Sequence, residues 1–259
     1  MAHVHDIRIK KKFGQHFLRD HTVTQSMIDS VHIDTTTSIF EIGCGDGFLT
    51  GEILKTPAAR LWIFEIDPEW AAHVLKTFPD VRMTMHQDDF LAVDLKMLGE
   101  YAPWTVLANL PYQVTFPILH RFQEYRSFLK EGVVMVQEEV AQKIVQASGR
   151  GFGYPALFFQ HYFDWQLLTK IPPTAFFPAP KVTSRLLYFK PRIKAPVIPE
   201  EEQFWKFIKK CFQQPRRMFK NNFNGTGYAI DRVPEKYLDL RAQQMTMNDF
   251  LAIWDLVRN

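Results

Sequence analysis

The segment 107–112 reads Leu-Ala-Asn-Leu-Pro-Tyr and has the residue types best suited to chemistry. It follows an apolar run, so a buried strand is expected to end just before Asn109, and Pro111 makes the following turn stiff. The side-chain oxygen of Asn109 and the carbonyl of Leu110 can accept two N–H bonds from an exocyclic amine. The ring of Tyr112 can stack on the base that carries this amine. The turn therefore predicts a site for a flat, amine-bearing ring; an ordinary proline turn with a buried tyrosine is the alternative.

A second motif follows the strand predicted at 38–42, where residues 41–47 read Glu-Ile-Gly-Cys-Gly-Asp-Gly. A strand, a glycine turn and a helix form a nucleotide-binding corner, because glycine lets the backbone approach a ligand closely. A dinucleotide fingerprint would require a third glycine at position 48, where Phe48 stands. The spacing instead resembles the S-adenosylmethionine (SAM) loop of class I methyltransferases, so Gly43 and Gly45 are predicted to bind the cofactor.

Acidic residues stand at the predicted ends of the next two strands. Glu65 lies 22 residues after Gly43, where a carboxylate can accept hydrogen bonds from both ribose hydroxyls. Asp89 can accept a hydrogen bond from an adenine amino group, and Phe90 can pack on the ring. Helix-capping acids are the alternative. Because these acids, the glycine loop and Asn109 fall at the ends of four successive strands, we expect them to share one site.

A proline-rich loop at 171–182 separates two further predicted strands and contains Phe176 and Phe177. A second aromatic face opposite Tyr112 would complete a clamp around a flat base, and Phe176 is predicted to supply it. Alternatively both rings pack in the core, which is the expectation for Phe177.

Composition restricts the class of protein. The chain has 259 residues, of which 46% are hydrophobic and 23% charged, so it is globular, with one large domain or a large and a small one. The sequence has no run of 18 apolar residues and no apolar signal region at its start, so no membrane helix and a cytoplasmic location are expected. Cys44 and Cys211 lie far apart, and neither a disulfide framework nor a metal site is expected.

The net charge of +3 is small, but basic residues are concentrated in two segments without acidic residues. Residues 8–19 contain five basic side chains and residues 206–220 contain six. Such segments can follow the phosphate backbone of a nucleic acid, although solvated surface faces are the alternative. The residues predicted to contact RNA are Lys10, Lys11, Lys12, Arg216 and Arg217.

Alternation of strands and helices indicates a doubly wound α/β sheet that is mainly parallel. Strands are predicted at 38–42, 61–64, 81–85, 105–108, 132–136, 163–168 and 185–189. After a linker at 191–199, apolar residues at helical spacing and a capping box at 246–249 predict helices. We therefore predict a Rossmann-like class I SAM-dependent methyltransferase domain over 1–193 and a small all-helical, RNA-binding domain over 194–259.

Six motifs occur in the order found in KsgA-type small-subunit (16S) rRNA adenine dimethyltransferases. They are Lys-Phe-Gly-Gln-His-Phe-Leu at 12–18, Glu-Ile-Gly-Cys-Gly at 41–45, Glu-Ile-Asp at 65–67, Asp-Phe at 89–90, Asn-Leu-Pro-Tyr at 109–112 and Pro-Pro-Thr-Ala-Phe-Phe-Pro-Ala-Pro-Lys-Val at 172–182. The chain resembles this family over nearly its whole length. The resemblance implies SAM-dependent transfer of two methyl groups to N6 of each of two adjacent adenosines, in a 3′-terminal hairpin loop of 16S rRNA within the pre-30S subunit. A monomer is expected.

The resemblance and the strand-end pattern together give the predicted site residues. The cofactor-binding residues are His16, Leu18, Gly43, Gly45, Glu65, Ile66, Asp89, Phe90 and Asn109, and the catalytic residues are Asn109, Leu110, Pro111, Tyr112 and Phe176. The family pattern Asp-Phe favours Asp89 over Asp88.

The chain departs from the family at three places. The family usually has Asn where His16 stands, and often Pro where Cys44 stands. It commonly has Tyr-Gly-Arg where residues 152–154 read Phe-Gly-Tyr. His16 can still donate and accept hydrogen bonds, so SAM binding is expected to survive, whereas RNA contacts of the changed loop are in question.

Other functions remain as alternatives. A macrolide-resistance enzyme that methylates large-subunit (23S) rRNA shares the fold and chemistry, but Asn-Leu-Pro-Tyr and the Phe-Pro-Ala-Pro-Lys loop favour the small-subunit enzyme. A ribosome-assembly factor without turnover would not need Asn109, Tyr112 and Glu65 together. A small-molecule methyltransferase would leave the basic segments unexplained.

Overall fold

The computed structural model describes residues 3–10, 14–223 and 227–258. The chain divides into two compact units: the first comprises residues 1–141 and 164–191, and the second comprises 142–163 and 192–259. Two of the predicted RNA contacts, Lys11 and Lys12, lie outside the described residues. No described helix is long and apolar enough to cross a membrane.

The secondary structure elements are numbered along the chain. The strands are β1 (His3–Val4), β2 (Ile7–Arg8), β3 (Phe17–Leu18), β4 (Ser38–Ile42), β5 (Arg60–Phe64), β6 (Met83–His86), β7 (Trp104–Asn109), β8 (Leu129–Gln137), β9 (Phe163–Ile171), β10 (Phe176–Phe177) and β11 (Ser184–Pro191). The α-helices are α1 (His21–Asp29), α2 (Phe48–Ile53), α3 (Pro68–Thr77), α4 (Thr115–Glu124), α5 (Glu138–Val145), α6 (Tyr154–Tyr162), α7 (Glu201–Cys211), α8 (Glu235–Leu238) and α9 (Met247–Val257).

The main sheet has seven strands in the order β6-β5-β4-β7-β8-β11-β9. The five strands from β6 to β8 pair in parallel, whereas β11 pairs antiparallel to β8. This arrangement confirms the predicted α/β class and the mainly parallel sheet. Strand order reverses between β4 and β7, and ligands of such sheets bind beyond the carboxyl ends of the strands at this switch point.

The central strands are buried on both faces, which explains why most of their residues are apolar. All five residues of β4 are buried, and so are the first five of β7. Asn109 is the last residue of β7, one position beyond the strand end predicted at residue 108. The buried strands thus bring polar residues such as Asn109 to their carboxyl ends.

The described part of the second unit is mainly helical. Helix α7 buries Phe204, Phe207 and Ile208 on one face, and α9 begins at the predicted capping box, in which Thr246 and Asp249 bond each other reciprocally.

The second unit also includes residues 142–163, which the boundary predicted after residue 193 assigns to the first domain. The difference arises because α6 packs within the helical unit: the indole Nε1 of Trp205 donates to the hydroxyl of Tyr162 at 2.7 Å. The ring of Phe158 also contacts Trp205, at 4.8 Å between centroids.

Candidate active site

The glycine loop after β4 has a backbone that only glycine adopts without strain. Gly45 has φ +53° and Gly47 has φ +85°. A Cβ at Gly47 would lie 2.4 Å from the ring of Phe78, and one at Gly45 would lie 3.2 Å from the ring of Phe17. Glycine therefore allows the loop to turn tightly under its neighbours and start α2.

Glu65, directly after β5, ties this loop to the neighbouring strand. Its buried carboxylate accepts the backbone N–H of Gly45 at 3.1 Å and that of Asp67 at 2.8 Å. Burial raises the pKa of Glu65, and the two N–H bonds oppose the shift. The thiol of Cys44 also donates to Oε2, the oxygen that accepts from Gly45, at 3.6 Å. Oε1 keeps a lone pair, so the side chain can accept a further hydrogen bond from a ligand.

Glu41 is a second buried carboxyl group along the cleft, and the sequence analysis assigned it no role. The hydroxyl of Thr50 donates to it at 2.8 Å. Burial raises the pKa of Glu41 to about 8, and the charge of Glu65 acts in the same direction. The sequence signal that could have identified Glu41 is its position as an acidic residue inside a predicted apolar strand.

Asp89 and Phe90 follow β6, as predicted. One oxygen of Asp89 accepts the backbone N–H of Leu91 at 3.0 Å. No described residue bonds its other oxygen. Asp88 is exposed and caps the N–H of Asp89, while Phe90 is buried and packs edge-on against Phe64. The half-buried Asp89 is thus the better placed of the two acids to accept a hydrogen bond from a ligand.

In the acceptor turn, residues 109–112, the side-chain nitrogen of Asn109 and the N–H of Leu110 are hydrogen-bonded, whereas two oxygens are available. The Nδ2 of Asn109 donates to the carbonyl of His16 at 3.3 Å. The N–H of Leu110 donates to Met135 at 3.1 Å. Within the part of the chain that the structure describes, the Asn109 side-chain oxygen and the Leu110 carbonyl bond no partner. These are the two acceptors expected from the sequence.

Tyr112 is held at its hydroxyl end. Its hydroxyl lies 2.6 Å from Oγ of the buried Ser184, the first residue of β11. Burial raises the pKa of Tyr112. Ser184 was missed because it stands 72 positions away in the sequence and no local pattern links the two residues.

His16 connects the N-terminal segment to the rest of the site. Its ring Nδ1 lies 2.7 Å from the carbonyl oxygen of Pro178 in the proline-rich loop. Its ring also lies nearly parallel to that of Tyr112, with centroids 6.0 Å apart and an interplanar angle of 25°. Through its carbonyl, His16 also orients Asn109.

Arg19 fixes the same segment to the glycine loop. Its guanidinium lies 2.8 Å from the buried carboxylate of Asp46 and donates to the carbonyl of Leu18 at 2.7 Å. It also lies over the rings of Phe17 and Phe48, at 5.5 and 5.9 Å from their centroids. The sequence analysis did not single out this residue.

The two phenylalanines of the proline-rich loop have the opposite burial to the one expected. The prediction that Phe177 packs in the core is wrong, because Phe177 is 47% exposed and Phe176 only 5%. Strand β10 pairs with β3, so Phe176 lies opposite Leu18 and neighbouring side chains point to opposite faces. Phe176 does not line the cleft that contains Asn109 and Tyr112. To stack on a base, its buried ring would first have to become exposed.

A single cleft of about 230 Å³ brings the other predicted residues together. It is lined by all nine predicted cofactor-binding residues and by Leu110, Pro111 and Tyr112. A Cβ at Gly43 would lie 4.0 Å from the ring of Pro111, so the acceptor turn lies directly against the glycine loop. No group of His, Cys, Asp or Glu side chains suited to a metal ion occurs among the described residues.

The predicted RNA contacts differ in their surroundings. The ammonium of Lys10 is bonded to Asp67 at 2.7 Å and to Glu69 at 2.8 Å. These ion pairs raise the pKa of Lys10 and engage its charge, and its contact with phosphate stays a prediction. Arg216 and Arg217 are exposed, and neither forms an ion pair with any residue the structure describes.

Comparison with known proteins gives relatives along nearly the whole chain. Residues 7–251 match the family described as ribosomal RNA adenine dimethylase. A ribosomal RNA small subunit methyltransferase A from Chlorobium phaeobacteroides is 34% identical over 254 residues, 98% of this chain and 93% of the relative. The protein of the same name from Streptococcus mutans is 33% identical over 274 residues, with 98% and 93% covered.

Solved structures share the fold. A dimethyladenosine transferase from Plasmodium falciparum superposes with a TM-score of 0.78 at 18% identity, covering 93% of this chain and 98% of that one. The 23S rRNA methyltransferase ErmE superposes with a TM-score of 0.71 at 19% identity, covering 94% and 100%. These are class I methyltransferase folds, as predicted. The sequence match over residues 7–251 shows that this chain belongs to the ribosomal RNA adenine dimethylase family.

Proposed function

We propose that this protein transfers methyl groups from SAM to N6 of two adjacent adenosines in the 3′-terminal hairpin loop of 16S rRNA. Each adenosine receives two methyl groups during maturation of the small ribosomal subunit. Relatives that are 30–34% identical carry the name ribosomal RNA small subunit methyltransferase A. The substrate is RNA in the pre-30S particle, and the enzyme acts as a cytoplasmic monomer.

One observation carries this proposal: the acceptor turn and the nucleotide-binding corner line the same cleft. The ring of Pro111 lies against Gly43, while Glu65 and Asp89 line the cleft beyond the neighbouring strands. A donor held at the strand ends would therefore lie next to an amine held at the turn. Transfer between two bound groups needs this proximity more than it needs a strong base.

The residues of the cleft fit SAM. Glu65 offers a carboxylate to the ribose hydroxyls, and the available oxygen of Asp89 fits an adenine amino group. Phe90 and the exposed side chain of Ile66 supply apolar surface beside them. Bound SAM supplies a methyl group on a positively charged sulfur, which is already activated for transfer.

The acceptor turn fits an adenine N6 amine. The lone pair of this amine is delocalised into the ring, so the amine is a poor nucleophile until it is oriented. The Asn109 oxygen and the Leu110 carbonyl accept its two N–H bonds and direct the lone pair along the cleft. A base inside a helix cannot reach this turn, so the adenosine is flipped out and stacks on Tyr112. Phe176 or the more exposed Phe177 supplies the second face.

The second unit is proposed to hold RNA phosphates through Arg216 and Arg217. Both guanidinium groups are exposed, and no described acidic residue neutralises them. Lys206 and Lys220 of the same basic segment are paired with Glu202 and Asp239. The two arginines are therefore the charges best suited to a phosphate backbone.

A 23S rRNA methyltransferase is the second candidate, because ErmE has the same fold. The small-subunit substrate is favoured by the Asn-Leu-Pro-Tyr turn, the Phe-Pro-Ala-Pro-Lys loop and the names of the relatives over nearly the whole chain. A non-catalytic assembly factor is disfavoured, because both acceptors of the turn are available in the cleft.

The test is methylation of purified ribosomal particles lacking these modifications. The protein is titrated with radiolabelled SAM and pre-30S particles, 50S particles or no particle, and the modified nucleosides are identified by mass spectrometry. We expect dimethyladenosine at two adjacent positions in the 30S sample alone. Methylation of the 50S sample alone would select the second candidate, and particle binding without methyl transfer would indicate an assembly factor.

A further inference from the structure

The imidazole of His16 is available in a defined tautomer at the acceptor end of the cleft. Its Nδ1 lies 2.7 Å from the carbonyl oxygen of Pro178, which can only accept a hydrogen bond. The proton of a neutral imidazole must therefore be on Nδ1, which leaves Nε2 as an acceptor. Within the described chain, Nε2 has no hydrogen-bond partner, and the residue lines the cleft.

The same residue adjoins both groups proposed to hold the adenine. The carbonyl of His16 accepts Nδ2 of Asn109 at 3.3 Å. Its ring lies nearly parallel to that of Tyr112, with centroids 6.0 Å apart. The residue that carries the available imidazole nitrogen thus adjoins the proposed adenine site.

We propose that His16 is the proton acceptor of the methyl transfer, through Nε2; this rests on the function proposed above. The N6 lone pair forms the new N–C bond, and the broken S–C bond leaves its electron pair on sulfur. As this bond forms, one N6 proton moves to Nε2 of His16 and the N–H electron pair stays on N6, so that the methylated amine is neutral. The imidazolium later releases the proton to water. Each of the two transfers to one adenosine releases one proton in this way.

The site thus gains an acceptor that the asparagine usual in this family would not supply. An asparagine amide can donate to the Pro178 carbonyl and so maintain the loop, but it cannot take up a proton near neutral pH. His16→Asn therefore separates the two roles of the residue. It keeps the positioning hydrogen bond and removes the titratable nitrogen.

Other titratable groups face the same cleft and must be distinguished from His16. They are Glu41, Cys44, Asp46, Glu65, Asp88, Asp89 and Tyr112. Burial raises the pKa of Glu41 to about 8 and also raises that of Glu65, so the carboxyl groups can affect cofactor binding over part of the same pH range. Single-turnover rates are therefore measured at saturating SAM and saturating 30S particles, where a change of cofactor binding with pH does not affect the rate.

The experiment measures the single-turnover rate between pH 5 and 8 for the wild type, His16→Asn and His32→Asn. His32 is an exposed histidine paired with Asp34 and does not line the cleft, so it is the matched control. We expect the wild-type and control rates to fall as the pH is lowered, because a protonated imidazole cannot accept the proton. This fall should be absent in His16→Asn. A fall that persists in His16→Asn, or a flat wild-type profile, would overturn the proposal.

A second readout needs no turnover. Long-range proton–nitrogen NMR of the ¹⁵N-histidine-labelled protein reports which ring nitrogen carries the proton, and the His16→Asn spectrum assigns the signal. We expect protonated Nδ1 and bare Nε2 at pH 8, whereas a protonated Nε2 with bare Nδ1 would refute the mechanism. A wild type that methylates no 30S particles would instead refute the proposed function.

Discussion

The two ends of the cleft are built differently. At the cofactor end, the Glu65 carboxylate accepts backbone N–H groups 20 and 2 positions away, at the ends of neighbouring strands. At the acceptor end, contacts between distant segments hold the groups: Asn109 bonds His16, and Tyr112 bonds Ser184. Local motifs therefore specify the cofactor end, whereas the acceptor end depends on how the whole first unit folds.

At the cofactor end, the largest effect is expected from Glu65→Ala. Losing the ribose acceptor should weaken SAM binding by about 1.5–3 kcal/mol, the range for hydrogen bonds to charged groups. Isothermal titration calorimetry with SAM measures this change. Because Glu65 also holds the N–H of Gly45, thermal unfolding and Glu65→Gln serve as controls for the fold. Unchanged SAM affinity in a folded Glu65→Ala variant would remove this residue from the cofactor site.

Tyr112→Ala is the corresponding change at the acceptor end. The loss of one stacking face should cost about 1–3 kcal/mol in the methyl-transfer barrier, with SAM affinity unchanged. Tyr112→Phe should keep most of the activity, because the ring face does the stacking and only the bond to Ser184 is lost. Single-turnover methylation of 30S particles is the measurement.

Two further variants identify the second stacking face. Phe176→Ala and Phe177→Ala are compared in the same assay, with thermal unfolding of each, since Phe176 is buried. If Tyr112→Ala has the wild-type rate, the aromatic clamp is refuted, whichever phenylalanine matters.

Glu41 gives a pH-dependent prediction for stability. Its pKa of about 8 in the folded protein exceeds its ordinary value of 4.5, so the folded state holds a proton that the unfolded state releases. The contribution of this proton to the free energy of unfolding is complete below pH 4.5. It is lost as the pH rises towards 8, by at most about 1.4 kcal/mol per pH unit. Urea unfolding from pH 5 to 8 should show this loss in the wild type and a smaller loss in Glu41→Gln. Parallel stability curves for the two proteins would contradict a raised pKa.

The smallest effect is expected from the second unit. Replacing Arg216 and Arg217 together by Gln should flatten the plot of log RNA affinity against log salt by about 0.7–0.9 for each lost phosphate contact. Lys206→Gln is the matched control, because that lysine is already paired with Glu202. An unchanged slope in the double variant would exclude these arginines from the RNA site.

The sequence allowed the sheet, the strand ends and the capping box of α9 to be predicted, because buried apolar runs, glycine and capping residues act locally. The burial of Phe176 and Phe177 was predicted the wrong way round, because the pairing of β10 with β3 decides which ring points inward. Lys10 was predicted to be available for RNA, yet it pairs with acids 57 and 59 positions away in the chain. Ser184 was missed for the same reason: its partner is distant in sequence.

The most direct test of the central claim is the single-turnover rate of methyl transfer to 30S particles by Asn109→Ala. The account predicts a fall of about 10²–10³-fold, the range for removing one polar group that stabilises a transition state. SAM and RNA affinities, measured on the same preparation, should change far less, because the Asn109 oxygen orients the amine and adds little binding. A variant that binds both ligands and transfers methyl groups at the wild-type rate would contradict the account.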